Sequence, residues 1–499
     1  MTAPGPVGRG TAAPGAASSS AASGGPGSPA LPVGFRVVID PRVRQLGADA
    51  LFGGAPPRVL RLSPAGRSAL AELRAGPVRG GAAGRLARRL TDAGLAHPRP
   101  PRLGSRPDVT VLIPVRDRAQ LLARCLAALG PGYPVIVVDD GSDDPAEVAA
   151  VAAAHGATLV RRPVTGGPGA ARNTGLLGVT TDLVAFVDSD CEPGPGSIER
   201  LAAHLADPAV AAAAPRVVAV PGRRGWAARY ATAACGLDLG GAEARVLPGT
   251  RVAYVPAATL LARRAALDQV AAGRGVFDPE LRWGEDVDLV WRLHEEGWRI
   301  RYDPAVMVSH HEPARWPALL ARRFRYGTSA APLARRHPGR VPPLVLHPWP
   351  ALTVAGLLSG RPPVAGLGFT ASVLTTRTAL RRAGLPARGV LPAMVTASVQ
   401  TWLGAGRYAW QFGAPVLAAA LAAPGGHAGR RRAAAASLLL GPPLTAWWPR
   451  RRSLDPVRYV LGHLATDAAY GTGVWAGALR ARSLAAVRPV FLPRMARVP

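Results

Sequence analysis

Two carboxylates one residue apart, Asp188 and Asp190, follow five apolar residues in L-V-A-F-V-D-S-D-C-E-P, and a third acid, Glu192, stands behind them. Like charges this close repel unless something cationic sits between them. A bound metal is the expected cation, and the plain alternative is a pair of solvated acids at a strand end. Three other stretches carry reactive residue types. V-V-D-D-G-S presents Asp139 and Asp140 in a turn. G-G-P-G-A-A-R-N-T-G combines glycines, which allow close backbone approach, with Arg172, which can pair with anionic groups. R-W-G-E-D-V-D-L-V-W-R-L places Glu285, Asp286 and Asp288 at a helix start. Each has a structural reading as well: Asp-Gly-Ser is a common turn, a helix-start arginine can be merely exposed, and acids suit the positive end of a helix dipole.

These residues need strands and helices to hold them. V-T-V-L-I-P-V (109–115), V-I-V-V-D-D (135–140), T-L-V (158–160) and L-V-A-F-V (183–187) read as strands, with helices at 121–129, through Val151 and near A-A-R-N-T-G-L. Continuous apolar strands separated by helices predict an α/β fold with a parallel sheet covered on both faces. Ligands on such sheets bind beyond the carboxyl ends of the strands, where Asp139, Asp140, Asp188 and Asp190 all fall. Downstream, V-D-L-V-W-R-L-H-E-E-G-W is a helix stopped by Gly297, and D-P-A-V-M-V-S-H-H-E-P is a strand ending at His310 and His311.

The flanks have a different character. Residues 1–30 are mostly Gly, Ala, Ser and Pro, with Arg9 the one charged side chain and without the apolar run of a secretory signal, and predict a disordered tail. Residues 31–106 predict a small module: a strand in F-R-V-V-I-D-P, a strand leading into a helix capped by Ser63 with Pro64 in its first turn, a second helix stopping at Gly94, and a Pro-rich linker from His97. Residues 107–338 hold the α/β domain. Residues 339–499 alternate apolar segments (389–406, 408–426, 433–449) with arginine clusters at 430–432 and 450–452. Buried, interfacial and membrane-spanning helices all remain open for them. From residue 340 onward there are 19 Arg against Asp455 and Asp467, a balance of +17.

The whole chain of 499 residues carries +29, and its 60 basic residues are all arginine. That favours anionic partners, nucleotide phosphates, nucleic acid or an anionic membrane surface, although Ala-, Arg-, Gly- and Pro-rich composition bias contributes. Three cysteines, Cys125, Cys191 and Cys235, odd in number and without C-x-x-C spacing, indicate neither a disulfide framework nor a structural zinc site and point to a reducing cytoplasm, with the cytoplasmic membrane face also open.

In order and spacing, V-V-D-D-G-S, G-G-P-G-A-A-R-N-T-G, F-V-D-S-D and G-E-D-V-D-L-V-W-R resemble glycosyltransferase family 2, over roughly residues 109–326. The resemblance implies a GT-A fold, a small N-terminal α+β module, a mainly helical C-terminal region, and inverting hexosyl transfer from a UDP-sugar, with no nucleic-acid partner. It implies a divalent metal, Mg or Mn, as Lewis acid on the diphosphate, held by Asp190 with Asp188 on metal or ribose and His310 as a further ligand. Asp140 would read the uracil, with Asp139 its neighbour and Arg172 on the nucleotide. Asp286 would be the base that takes the acceptor hydroxyl's proton. Arg322, Arg325 and Tyr326 in R-R-F-R-Y stand where polysaccharide-synthesising relatives have Q-x-x-R-W, and with Glu285 would meet acceptor or diphosphate; two departures from that motif count against processivity. Together with G-F-R-V-V-I-D-P-R-V-R, R-V-L-R-L-S-P-A-G and R-F-R-Y-G-T-S-A-A-P-L-A-R-R-H-P, the chain is similar to the mycofactocin-system glycosyltransferases. That likeness implies UDP-glucose as donor, a peptide-derived redox cofactor precursor as acceptor, a β-linked oligoglucoside as product, and residues 31–106 as a peptide-recognition-like module open to a precursor peptide. A transferase building cell-envelope polysaccharide or glycolipid, and a non-catalytic peptide or membrane scaffold, are the alternatives.

Overall fold

Every side chain of Val109–Val115 is buried, and this is an interior strand of the α/β sheet. It runs parallel to Leu183–Val187 on one side and Val135–Asp140 on the other, with Thr158–Arg162 parallel at that edge. Successive residues face opposite layers, so Leu112, Val138, Phe186 and Leu260 pack in one core while Val111, Ile113, Val137 and Ala185 pack in the other. Beyond Leu183–Val187 the sheet becomes mixed. Thr259–Arg263 pairs antiparallel to both Leu183–Val187 and Val210–Ala219, and Arg299–His310 then runs parallel to Val210–Ala219. Cys191–Pro193 closes that edge antiparallel to Arg299–His310, placing Cys191 opposite His310. This computed structural model describes residues 29–221, 225–271, 273 and 275–492. The predicted tail, apart from its last two residues, lies outside the described residues.

The N-terminal module has its own apolar core, from Leu31 and Phe35 to Leu95 and Ala96. Ser63 caps the helix Pro64–Ala75 by accepting from the Gly66 amide at 3.1 Å, and the helix Gly81–Asp92 follows. The Pro-rich stretch expected as a linker begins instead as a strand: Ala96–Arg99 pairs antiparallel to Arg36–Ile39, with Pro98 opposite Val37. Proline is tolerated there because the pair is a two-stranded ribbon with an open edge. Three short strands, Arg44–Leu46, Ala50–Gly53 and Arg58–Arg61, form a meander, of which the sequence pattern announced only the last, the strand leading into the capped helix.

After the α/β domain come the helices Pro348–Leu358, Pro362–Arg382, Val390–Ala422, Ala428–Trp447 and Pro456–Arg480. The segments expected at 389–406 and 408–426 are one 33-residue element, broken at Gly413 (φ −126°, ψ 27°) two residues before Pro415. A proline inside a helix removes a hydrogen bond and clashes with the preceding turn, which accounts for the kink. Among the described residues no helix is long and apolar enough to cross a membrane. Pro456–Arg480 packs against Trp316–Thr328, the helix that follows the sheet, along a seam of glycines. A Cβ at Gly327 would meet the Tyr470 carbonyl, and one at Gly473 the Phe324 carbonyl.

Candidate active site

Asp188 and Asp190 leave the carboxyl end of Leu183–Val187, and Glu285 and Asp286 open the helix Glu285–Glu295. Gly284 makes the turn into that helix at φ +79°, where a side chain would be strained and would press on Ser329 and Leu333. Between the two groups of acids lies Arg172, from the helix Pro168–Leu176. One terminal nitrogen donates to Asp188 Oδ1 at 2.5 Å and the other to Glu285 Oε1 at 2.9 Å. Its guanidinium lies 5.3 Å from the centre of the Phe277 ring and is 2% exposed. Arg172, expected on the nucleotide, is thus no merely exposed helix-start arginine. Three neighbouring carboxylates, Asp188, Glu285 and Asp286, make a buried cation favourable here, and Arg172 spends both terminal nitrogens on the protein.

Burial pushes Glu285 up to about 7, with the charge of Asp286 adding and Arg172 opposing. Asp286 is also raised by burial, although Arg172 and the amides of Val287 (2.8 Å) and Ala257 (3.3 Å) favour its charged form. Asp188 is raised by burial and by Asp190 against the pull of Arg172, and keeps 31% of its side chain open to solvent. Asp286 is itself half-buried, and a half-buried carboxylate of raised basicity is suited to taking a proton. Asp288, on the same helix, turns away to Arg292 (2.8 Å) and His337 (3.0 Å) and anchors the helix.

Asp190 has different surroundings. Arg118 donates to its Oδ2 at 2.5 Å, and His310 Nε2 lies 3.5 Å from its Oδ1. Burial opposes its charge, but His310, Arg118 and Arg322 outweigh that and hold the carboxyl at about 2. His311 instead binds Glu192 at 2.5 Å, so the third acid of the motif is paired outside this cluster. Among the described residues no group of three or more His, Cys, Asp and Glu converges on one point as a ready metal cage. Asp190 and His310 offer two ligands, which matches a divalent ion that takes its remaining oxygens from a diphosphate and water. His310 Nδ1 is buried and faces Glu312, which pairs with Arg322 and accepts from Cys235 Sγ at 3.1 Å.

On the other flank Asp139 is fully buried and accepts from the Ser142 amide at 2.9 Å, shaping the acidic turn. Asp140 accepts from Thr165 Oγ1 (2.9 Å) and the amides of Gly166 (3.0 Å) and Gly167 (2.7 Å), and forms an ion pair with Arg162, whose Nε lies 2.9 Å away. Both of its oxygens hold the Gly-rich loop, so in this structure Asp140 organises the loop beside the site and presents no free carboxylate to a base. Asp117 is a non-glycine residue at φ +53°; its amide donates to Ser142 Oγ and its Oδ1 accepts from the Asp143 amide. Strained backbone of this kind concentrates at functional sites.

Arg322, Arg325 and Tyr326 share one face of the helix Trp316–Thr328. Arg322 joins the Asp190 cluster through Glu312, whereas Arg325 lies over the Trp283 ring at 5.6 Å and Tyr326 meets that ring edge-on. Burial pushes the hydroxyls of Tyr254 and Tyr326 up to about 12, and the charge of Asp286 acts on both in the same direction. They therefore stay neutral donors near that carboxylate. Arg118, Glu312 and Tyr254 were missed from the sequence. R-D-R directly after the first strand and the acid in H-H-E-P were the available signals.

The profile described as glycosyl transferase family 2 matches residues 110–270. The chain is 41% identical over 479 residues to the pre-mycofactocin glycosyltransferase of Mycobacterium tuberculosis, covering 92% of this chain and 98% of that one. An uncharacterized glycosyltransferase of Mycobacterium bovis is 33% identical over 192 residues, 38% of this chain and 81% of its own. Among solved structures, a Pyrobaculum calidifontis mannosyltransferase in complex with GDP-Man and Mn2+ aligns at 22% identity and TM-score 0.41, over 73% of this chain and 88% of that one.

Proposed function

The chain belongs to the pre-mycofactocin glycosyltransferases of glycosyl transferase family 2, and from that premise we propose that it transfers glucose from UDP-glucose to pre-mycofactocin with inversion, building a β-linked oligoglucoside. In this reading the acceptor hydroxyl gives its proton to Asp286 as its oxygen bonds to the anomeric carbon. The bond from that carbon to the diphosphate breaks, and UDP leaves with the electron pair. The observation that carries the reading is the Arg172 bridge, which joins the D-x-D turn to the helix start bearing Asp286, whose carboxyl burial has raised.

Asp190 and His310 would hold the divalent metal, Mg or Mn, with Asp188 on metal or ribose. The ion would supply Lewis-acid stabilisation of the diphosphate when bound. Asp139 and Asp140 support the nucleotide side, Asp139 by shaping the acidic turn and Asp140 by fixing the loop 165–167. Trp283, Tyr254 and Tyr326, with Arg325, give the acceptor side aromatic surface and neutral donors. The family's acceptor is peptide-derived, so a precursor peptide on the N-terminal module belongs to the same reading.

Purified protein given UDP-glucose, manganese and a pre-mycofactocin preparation should yield products heavier by successive hexoses, with β linkages by NMR. Asp286→Asn should lower kcat by about 10²–10⁴-fold while leaving UDP affinity within a factor of a few. Full activity in that variant would remove Asp286 as the base. Transfer to a lipid or polysaccharide acceptor instead would establish the cell-envelope alternative.

A further inference from the structure

The helical region contains a cavity that the transfer chemistry does not use. It measures about 470 Å³ and lies between Pro348–Leu358, Val390–Ala422 and Ala428–Trp447, with Leu357, Val399 and Trp402 among its walls. That volume falls within the ~300–1,000 Å³ of small-molecule sites, and the lining is almost wholly apolar. Ser437 Oγ is occupied by the Trp402 indole at 2.9 Å.

The cavity continues onto the surface. Leu391, Val395 and Val399 stand one helical turn apart, 55%, 52% and 41% exposed, and Val399 is also a cavity wall. An apolar stripe at this spacing ordinarily faces a partner.

Charge identifies the partner. In the triplet Arg430–Arg432, two members are committed: Arg431 donates to the carbonyls of Ala420 and Ala423, and Arg432 donates to Leu421 O at 2.9 Å. They satisfy the free carbonyls at the end of the long helix. Arg430 has no hydrogen bond or ion pair among the described residues, is exposed, and lines the cavity with its stem beside Gly360. An apolar slot, an apolar stripe leading into it and a free guanidinium at its mouth match a molecule with an alkyl chain and a phosphate. From residue 340 onward the sequence carries 19 Arg against two Asp, and no described helix is long and apolar enough to cross a bilayer. An amphipathic surface of this kind lies along an anionic leaflet.

We propose that this face docks on an anionic phospholipid leaflet, with one acyl chain entering the cavity beside Trp402 and its phosphate on Arg430. The reading is independent of the transfer reaction, since vesicle binding requires no donor or acceptor.

Co-sedimentation of the full chain with phosphatidylcholine vesicles, with and without phosphatidylglycerol, at about 0.1 M salt tests it. The protein should pellet with the anionic vesicles only, and Arg430→Glu and Val399→Glu should each weaken binding at least about tenfold. Both variants should keep the parent's melting temperature and UDP affinity; Arg430 is exposed, so its replacement leaves the fold intact. Phosphatidylglycerol with brominated acyl chains should quench tryptophan fluorescence, and Trp402→Phe should remove much of that quenching. Equal pelleting of parent and both variants, no pelleting of the parent, unchanged quenching in Trp402→Phe, or self-association through Val399 without vesicle binding would each overturn the proposal.

Discussion

Arg172 occupies the point where Asp188, Glu285 and Asp286 would otherwise repel one another. Removing one partner of a buried ion pair leaves the other uncompensated, so Arg172→Met should cost about 3–5 kcal/mol, read as a lowered urea midpoint. Glu285 gives a pH signature. Its carboxyl is raised from 4.5 to about 7 by burial and by Asp286, so between those values the folded chain binds more protons than the unfolded one. This group's contribution therefore makes stability fall as pH rises from about 4.5 to 7. Glu285→Gln should flatten that slope, and urea titrations at pH 5 and 7 compare the two proteins. The acids of the site were legible in the sequence because residue type and local spacing declare them. Their pairing with cations was not: Arg172, singled out for the nucleotide, is 113 residues from the Glu285 it binds, and Arg118, which was missed, is 72 from Asp190.

At the level of elements, the N-terminal module is fastened to the sheet by buried charge. Arg88 of the helix Gly81–Asp92 forms a double hydrogen bond with Asp207 at 2.7 and 2.8 Å, both side chains 2% exposed. Asp92 does the same with Arg299 at 2.7 Å, and Arg99 reaches Glu243. Breaking this contact is costly because the partner charge stays buried. Asp207→Ala should lose about 3–5 kcal/mol in chemical denaturation, while Ser63→Ala, at an exposed cap, should lose only about 1 kcal/mol. The strands around the site follow from continuous apolar runs. Ala96–Arg99 was obscured because its pairing partner lies about sixty residues earlier and Pro98 mimics a linker.

Over the whole molecule, the C-terminal helices pack against the element that carries part of the candidate site. The helix carrying Arg322, Arg325 and Tyr326 lies directly on Pro456–Arg480, with glycines on both helices bringing the backbones together. Gly327→Val has nowhere to place its side chain except against the Tyr470 carbonyl. It should lower the melting temperature through overpacking of about 1–3 kcal/mol or more, and should reduce transfer by shifting Tyr326. Unchanged activity and melting would show that the two helices move independently.

Amino-acid type and short-range period by themselves determined the buried parallel strands, the acids at their carboxyl ends and the helix that starts at Glu285. These depend on contacts within a few residues and on side-chain alternation. Which cation neutralises which acid, that Asp140 holds a loop, that two of three clustered arginines cap a helix while the third stands free, and that the last helix closes on the helix following the sheet were decided only by the tertiary structure. Each depends on groups distant in the chain, and the electrostatic cost of burying charge selects among them only once folding has brought them within a few ångströms.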